Sequence, residues 1–374
     1  MKGVPKIMKG LRLYLPPFAP DDAGAASVLQ PLGGLVTILD AGGCAGNLCG
    51  FDEPRFYQKS SGLPQNHEPS FASIFASAAL RDMDAILGRD VHLLKKLCDA
   101  VDTFAASNHP LPFLAFIGTP VPAVIGTDLH ALARLAEQQL HIPTIPIDTD
   151  GTQPYDTGIE KAYHALFSHL ANIPNRIRPH HGSTGVLGAT TFDVGTDAAL
   201  LRTELQAQGF PQPRLYGLSH NLRDYIDASE NELNLVLAPS GLPAARWLQK
   251  NFGTPYRILA PLARHHFTAL QPHLPDTAKN ILILHQQFTA NALRTLLKKK
   301  YPESRITCAT WFTLIGALAK PQDQKLRDEH DFPRLVATEN YDLILADPLC
   351  KRTIPAYHGT FLPLPHPAVS GFPD

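Results

Sequence analysis

An α/β chain of three Rossmann-like lobes, each a mainly parallel sheet flanked by helices, is the fold this sequence predicts. Three observations carry that expectation. Short Val/Ile/Leu-rich runs recur without polar alternation, the pattern of parallel strands covered on both faces. Stretches with apolar residues at helical spacing lie between them, and strand–helix alternation of this kind belongs to doubly wound sheets. Two turn-rich breaks, Pro174 to Gly182 and Gln271 to Asp276, each precede a fresh apolar run. They divide the chain into expected lobes 1–178, 179–276 and 277–374, each within the usual domain range.

The elements follow in order. A strand is expected at 34–39 (GLVTIL), ending in a Gly-rich loop. Helical patterns at 73–80 and 90–105 lead to a strand at 113–117 (FLAFI). A helix at 128–139 then precedes the short run 144–147 (TIPI), and a helix at 158–170 closes the first lobe. The middle lobe reads strand 185–190, helix 196–208, strand 233–238 and helix 243–252. The last lobe reads strand 280–284, helix 289–300, then strands 305–308 and 341–346.

Composition narrows the function classes. The 374 residues are 44% hydrophobic and 18% charged, which excludes a disordered chain. Lys+Arg 33 against Asp+Glu 34 leaves a net charge of −1, with no basic excess to neutralise phosphates. No nucleic-acid partner is expected. No uninterrupted apolar window of about 18 residues occurs, so no membrane span is expected. The basic start, Met1 to Lys6, lacks an apolar h-region, and five cysteines are ordinary intracellular usage. The expected location is cytoplasmic.

The most informative stretch runs from Asp40 to Gly50 and contains Gly42, Gly43, Cys44, Gly46 and Cys49. It follows the apolar run 34–39, so it lies at a strand's C-terminal end, where open α/β sheets hold ligands. Its glycines let backbone approach a ligand closely. Thiolates there suit soft metals and iron–sulfur clusters, although a C-x₄-C pair supplies only half of a four-ligand set. The alternative is a tight turn with two small buried thiols. No P-loop or G-x-G-x-x-G spacing is present. Cys98 and Cys308 read as core residues. Cys350 adjoins Lys351 and Arg352, which would lower its pKa, or it is a bystander thiol. The pairs His180-His181 and His265-His266 read as surface or cleft polarity, and H-E-x-x-H and G-x-S-x-G are absent.

In order along the chain, Ala19 to Ala25, Leu39 to Cys44, Leu80 to Gly88 and Gly118 to Asp128 resemble the motifs of the nitrogenase component 1 superfamily. Leu233-Asn234-Leu235-Val236, Asn251 to Tyr256, Tyr341 to Ile344 and His366 to Gly371 continue the same collinear order. Each motif is weak alone, and the order carries the resemblance. The departures are specific. Of the three cysteine positions that can hold the family's bridging cluster, the first is lost within 18–22 and the third is Pro120. Cys44 is kept, and Cys49 is an addition. The cysteine that anchors nitrogenase's active-site cluster falls at Ala238. His366 sits near the family's histidine ligand, one residue short in its spacing to Ser370-Gly371. Those losses argue against a molybdenum-type cofactor.

The resemblance implies an oxidoreductase subunit that takes electrons from an ATP-dependent iron–sulfur reductase. It would pass them through an interface [4Fe–4S] cluster to a substrate that the sequence does not name. Cys44 and Cys49 would be the metal ligands, with Gly42, Gly43 and Gly46 lining the cluster. A homodimer, or a heterodimer with a similar subunit, would supply four thiolates. His366, Asp52 and Glu53 are the candidate catalytic residues. For His366 the alternative is a loop histidine fixed between Pro365 and Pro367; for Asp52 and Glu53 it is a helix-start or subunit-contact segment. A second functional class stays open: a scaffold or carrier on which a metal cofactor is assembled.

Overall fold

The computed structural model describes residues 14–40, 43, 73–81, 90–106, 111–171, 182–195 and 198–371. Its strands form three sheets, and every strand pairing within them is parallel. The chain gathers into two compact units. Ala19–Pro261 contains the first and second sheets, and Leu262–Asp374 with Met1–Phe18 contains the third.

The first sheet has the order β2-β1-β3-β4, with β1 (Leu35–Leu39), β2 (Ile74–Ser77), β3 (Leu114–Gly118) and β4 (Thr144–Ile147). All five residues of β1 and of β3 are buried, as their unalternated sequences require. Helices α1 (Asp21–Leu29), α2 (Asp90–Ala106), α3 (Pro120–Ile125), α4 (Leu129–Leu140) and α5 (Tyr155–Leu170) belong to this part of the chain. Leu93, Leu94 and Leu97 of α2 and Leu132 and Ala136 of α4 share one core with Leu35, Leu114 and Phe116. The Asp128 carboxylate accepts a hydrogen bond from Ala131 N at 2.8 Å and so starts α4.

The helix expected at 73–80 is a strand instead. Ser73 Oγ donates to Leu29 O at 2.7 Å and accepts from Gly34 N at 3.1 Å, pinning the segment beside β1. Ile74 then pairs with Leu35 and the ladder continues to Ser77. An eight-residue helix would gain few backbone bonds, so sheet pairing wins. Helix α1 has no counterpart among the expected elements. All nine of its residues are buried, so it has no polar face to produce a period.

The second sheet has the order β6-β5-β7-β8, with β5 (Ser183–Leu187), β6 (Gln212–Leu215), β7 (Leu233–Val236) and β8 (Tyr256–Ile258). The run expected at 185–190 starts earlier and stops at Leu187, because Gly188 turns with φ +67. Helices α6 (Thr191–Val194), α7 (Ala198–Ala207) and α8 (Leu242–Phe252) accompany this sheet.

Helix α9 (Ala263–Leu270) opens the other unit. Its sheet has the order β11-β10-β9-β12-β13, with β9 (Asn280–Leu284), β10 (Arg305–Thr310), β11 (Gln324–Lys325), β12 (Leu343–Ala346) and β13 (Thr360–Pro363). Ile281, Ile283, Ile306, Leu343 and Leu345 form its core with Leu293 and Leu297 of α10 (Gln287–Lys300). Helix α11 (Asp331–Glu339) precedes β12.

Candidate functional site

Without the extra edge strand β11, the three sheets share one topology. In each, the first strand lies between the second and the third, so the direction of winding reverses between β1 and β3, β5 and β7, and β9 and β12. Open α/β sheets hold ligands outside the carboxyl ends of strands at such switch points. Ala238 and His366 follow strands of the second and third sheets, and the loop that begins after Asp40 follows β1 of the first.

At the first switch point, Thr119 Oγ1 donates to Leu39 O at 2.7 Å and ties the ends of β3 and β1 together. Asp21, fully buried at the start of α1, accepts from Gly151 N at 2.8 Å and from the Lys161 ammonium at 3.3 Å. Burial pushes the neighbouring Asp22 carboxyl up to about 6, with the Asp21 charge acting the same way. Asp40, at the end of β1, accepts from Ser77 Oγ at 2.6 Å. The Gly-rich loop departs from here. Gly43 is exposed. Gly42, Cys44, Gly46, Cys49, Asp52 and Glu53 lie outside the described residues, as do His180 and His181.

At the second switch point, backbone meets backbone. A Cβ on Gly188 would lie 2.7 Å from Ala238 N, and one on Gly241 would lie 2.8 Å from Gly188 N. Ala238 is buried and brings a methyl where the family resemblance places a cluster-anchoring cysteine. Sequence reasoning passed over Asp193, which lies beside it in the chain's fold. Its carboxylate accepts from Tyr155 OH at 3.0 Å, Thr190 Oγ1 at 3.1 Å and Ser240 Oγ at 3.2 Å. Burial pushes Asp193 up to about 7, against the pull of those hydroxyl donors. The only sequence signal was an acidic residue within an otherwise uncharged stretch, Gly185 to Thr196.

At the third switch point, His285 follows β9, Asp347 follows β12 and His366 follows β13. His366 N donates to Asp347 Oδ2 at 2.9 Å, and His366 Nδ1 accepts from Ala368 N at 3.2 Å. The ring proton therefore sits on Nε2. His285 Nε2 lies 3.2 Å from Pro365 O, a carbonyl that can only accept, so His285 also carries its proton on Nε2. The His366 ring is 4.6 Å from the His285 ring and 4.6 Å from Phe312, centroid to centroid. Burial pushes His285 down to about 3 and His366 well below the usual range. The cavity that His285, Trp311, Phe312, Asp347 and His366 line is about 10 Å³, room for a single water. A metal cluster does not fit beside His366 in this arrangement.

The remaining cysteines carry no site. Cys308 is buried in β10, and Cys98 is half-buried on α2. Cys350 is buried, and burial and then the Asp347 charge push its thiol up. The lowering expected from Lys351 and Arg352 does not occur: the charge that acts on the thiol is that of Asp347. His265 is exposed, whereas burial pushes His266 down to about 4. Among the described residues, no helix is long and apolar enough to cross a membrane, and no three His, Cys, Asp or Glu side chains converge as a metal site.

Known proteins match this architecture. The iron-molybdenum cofactor biosynthesis protein NifE of Methanosarcina barkeri is 25% identical over 249 residues, which is 63% of this chain and 50% of that protein. NifE of Clostridium pasteurianum is 26% identical over 182 residues, covering 48% and 38%. The chain thus spans half or less of the length of these curated relatives. The solved structure of nitrogenase Cp1 at pH 5 superposes with a TM-score of 0.65 at 14% identity, covering 96% of this chain and 86% of that one. The same protein at pH 6.5 gives a TM-score of 0.65. Residues 22–264 match the model of the nitrogenase component 1 type oxidoreductases, and with the shared order of motifs and sheets the chain belongs to that family.

Proposed function

We propose that this chain handles a metal cluster as a scaffold or carrier in cofactor assembly. The observation that supports this reading is the third switch point. A metal cofactor that stays bound through turnover needs ligating side chains to anchor it. Here the anchor position in the second sheet is Ala238, and the space at His366 is filled by His285 and Phe312. The two NifE relatives, named for iron–molybdenum cofactor biosynthesis, point the same way. Members of the family bind iron–sulfur clusters, and the Gly-rich loop with Cys44 and Cys49 is where this chain would hold one. On this reading a [4Fe–4S] cluster is shared between two subunits, and Asp52 and Glu53 flank it.

A second reading rests on the family itself, which works with a partner reductase. The chain would then be an electron-accepting subunit, served by an ATP-dependent iron–sulfur reductase. The two readings separate in one experiment. The protein is purified anaerobically, its iron and sulfide are measured, and cluster transfer to a metal-free acceptor is followed alongside turnover with an added reductase. Transfer without ATP-dependent turnover is the expected result. Sustained reductase-dependent turnover would establish the second reading instead.

A further inference from the structure

The third sheet carries a second feature, lined by none of the residues around the histidine pair. Asn291, Arg294, Thr295 and Lys298 stand at i, i+3, i+4 and i+7 on α10 and form one stripe of its surface. That stripe faces Leu318, Lys320 and Gln322 across a cleft of about 540 Å³, with Ser304, Arg305 and Ile306 completing the lining. The volume suits a small metabolite.

The wall opposite α10 is fixed by hydrogen bonds at both ends. Asn291 Nδ2 donates to Leu318 O at 3.1 Å. The Arg294 guanidinium grips the Asp323 carboxylate in a fork, at 2.9 and 2.7 Å. Asp323 also accepts from Cys308 N at 2.9 Å and from Lys320 N at 2.7 Å, and Gln322 Nε2 donates to Ile306 O at 3.0 Å. These side chains satisfy the open edge of β10 and hold the cleft in shape before any ligand arrives. Pre-organisation of this kind lowers the entropy cost of binding.

The charge on the cleft has one sign. Arg294, Lys298, Arg305 and Lys320 line it, and no carboxylate does. Arg294 is neutralised by Asp323 and Arg305 by Glu339. Lys298 donates to Pro302 O at 2.8 Å, a neutral partner, and among the described residues no carboxylate pairs with Lys298 or Lys320. Two ammonium groups without a carboxylate partner therefore line the same built cleft. Lysine at the end of a helix is favoured by the helix dipole alone, which accounts for Lys298, Lys299 and Lys300 but not for Lys320 on the opposite wall.

We propose that this cleft binds a small phosphorylated molecule carrying at least two negative charges, held between Lys298 and Lys320. Inorganic pyrophosphate is the probe, titrated calorimetrically into the full chain at low ionic strength, where exposed charges are least screened. Lys298→Glu and Lys320→Glu remove the two contacts, and both side chains are exposed, so the fold is kept. Lys299→Glu is the control: it makes the same change of net charge on the same helix, outside the cleft lining. Pyrophosphate binding that weakens at least about tenfold in each cleft variant, and less than about twofold in the control, is the expected result. Absence of binding at millimolar pyrophosphate, or equal weakening in all three variants, would overturn the proposal.

Discussion

Buried ionisable side chains decide how this protein responds to pH. Asp193 has its pKa raised to about 7 from 3.8, so between those values the native state holds a proton that the unfolded chain has released. Its contribution to stability is complete below about pH 4 and is lost as pH rises through 7. In Asp193→Asn the side chain stays neutral at every pH. Urea unfolding is expected to show the variant less stable at pH 5, with the deficit shrinking by at least about 1 kcal/mol by pH 8; a constant deficit would refute it. His285 works in the opposite sense. Its pKa is lowered from 6.5 to about 3, so its stabilising contribution is present above 6.5 and is lost as pH falls below. His285→Phe should therefore flatten the acid side of the stability profile while leaving the neutral side within about 2 kcal/mol of wild type.

At the scale of elements, the tightest contact is between α1 and α5. A Cβ on Gly158 would lie 1.7 Å from Asp21 O, and one on Gly24 would lie 1.9 Å from Tyr155 O. Both obstacles are backbone, which cannot rotate away. Gly158→Ala should destabilise by about 2–3 kcal/mol or more, at the upper end for overpacking. Gly316→Ala is the matched control, since nothing lies within 4 Å of the added methyl and its φ is ordinary. Equal unfolding midpoints for the two variants would contradict this packing. Element type was readable from sequence in the longer helices that keep a polar face, as in α2, α4 and α10. It failed at α1, buried all round, at the eight- and nine-residue helices α9 and α11, and at the short edge strands β2, β6, β8, β11 and β13, of two to four residues. Periods need length and two environments to show.

For the whole molecule, the testable quantity is cluster stoichiometry. A cubane needs about four protein ligands, and two copies of a chain bearing Cys44 and Cys49 supply them. Anaerobically purified protein should run as a dimer with about four iron and four sulfide per dimer. Cys44→Ala and Cys49→Ala should each lose that iron. Full occupancy in both variants would end the proposal, and loss in Cys44→Ala alone would leave the cluster but release Cys49 from it.

By itself the sequence determined the architecture: short unalternated apolar runs alternating with helical patterns indicate parallel strands covered on both faces, and collinear motifs located the chain in its family. It also singled out His366 and Ala238, because a comparison of motifs along the chain needs no third dimension. Only the tertiary structure decided what surrounds them. His285, Phe312 and Asp347 meet His366 from separate strand ends, and Tyr155, Thr190 and Ser240 meet Asp193 across distances of up to 47 residues along the chain. Composition and spacing record neighbours along the chain, whereas burial, ring contact and pKa depend on neighbours in space. Those are set by which strands the sheet places side by side.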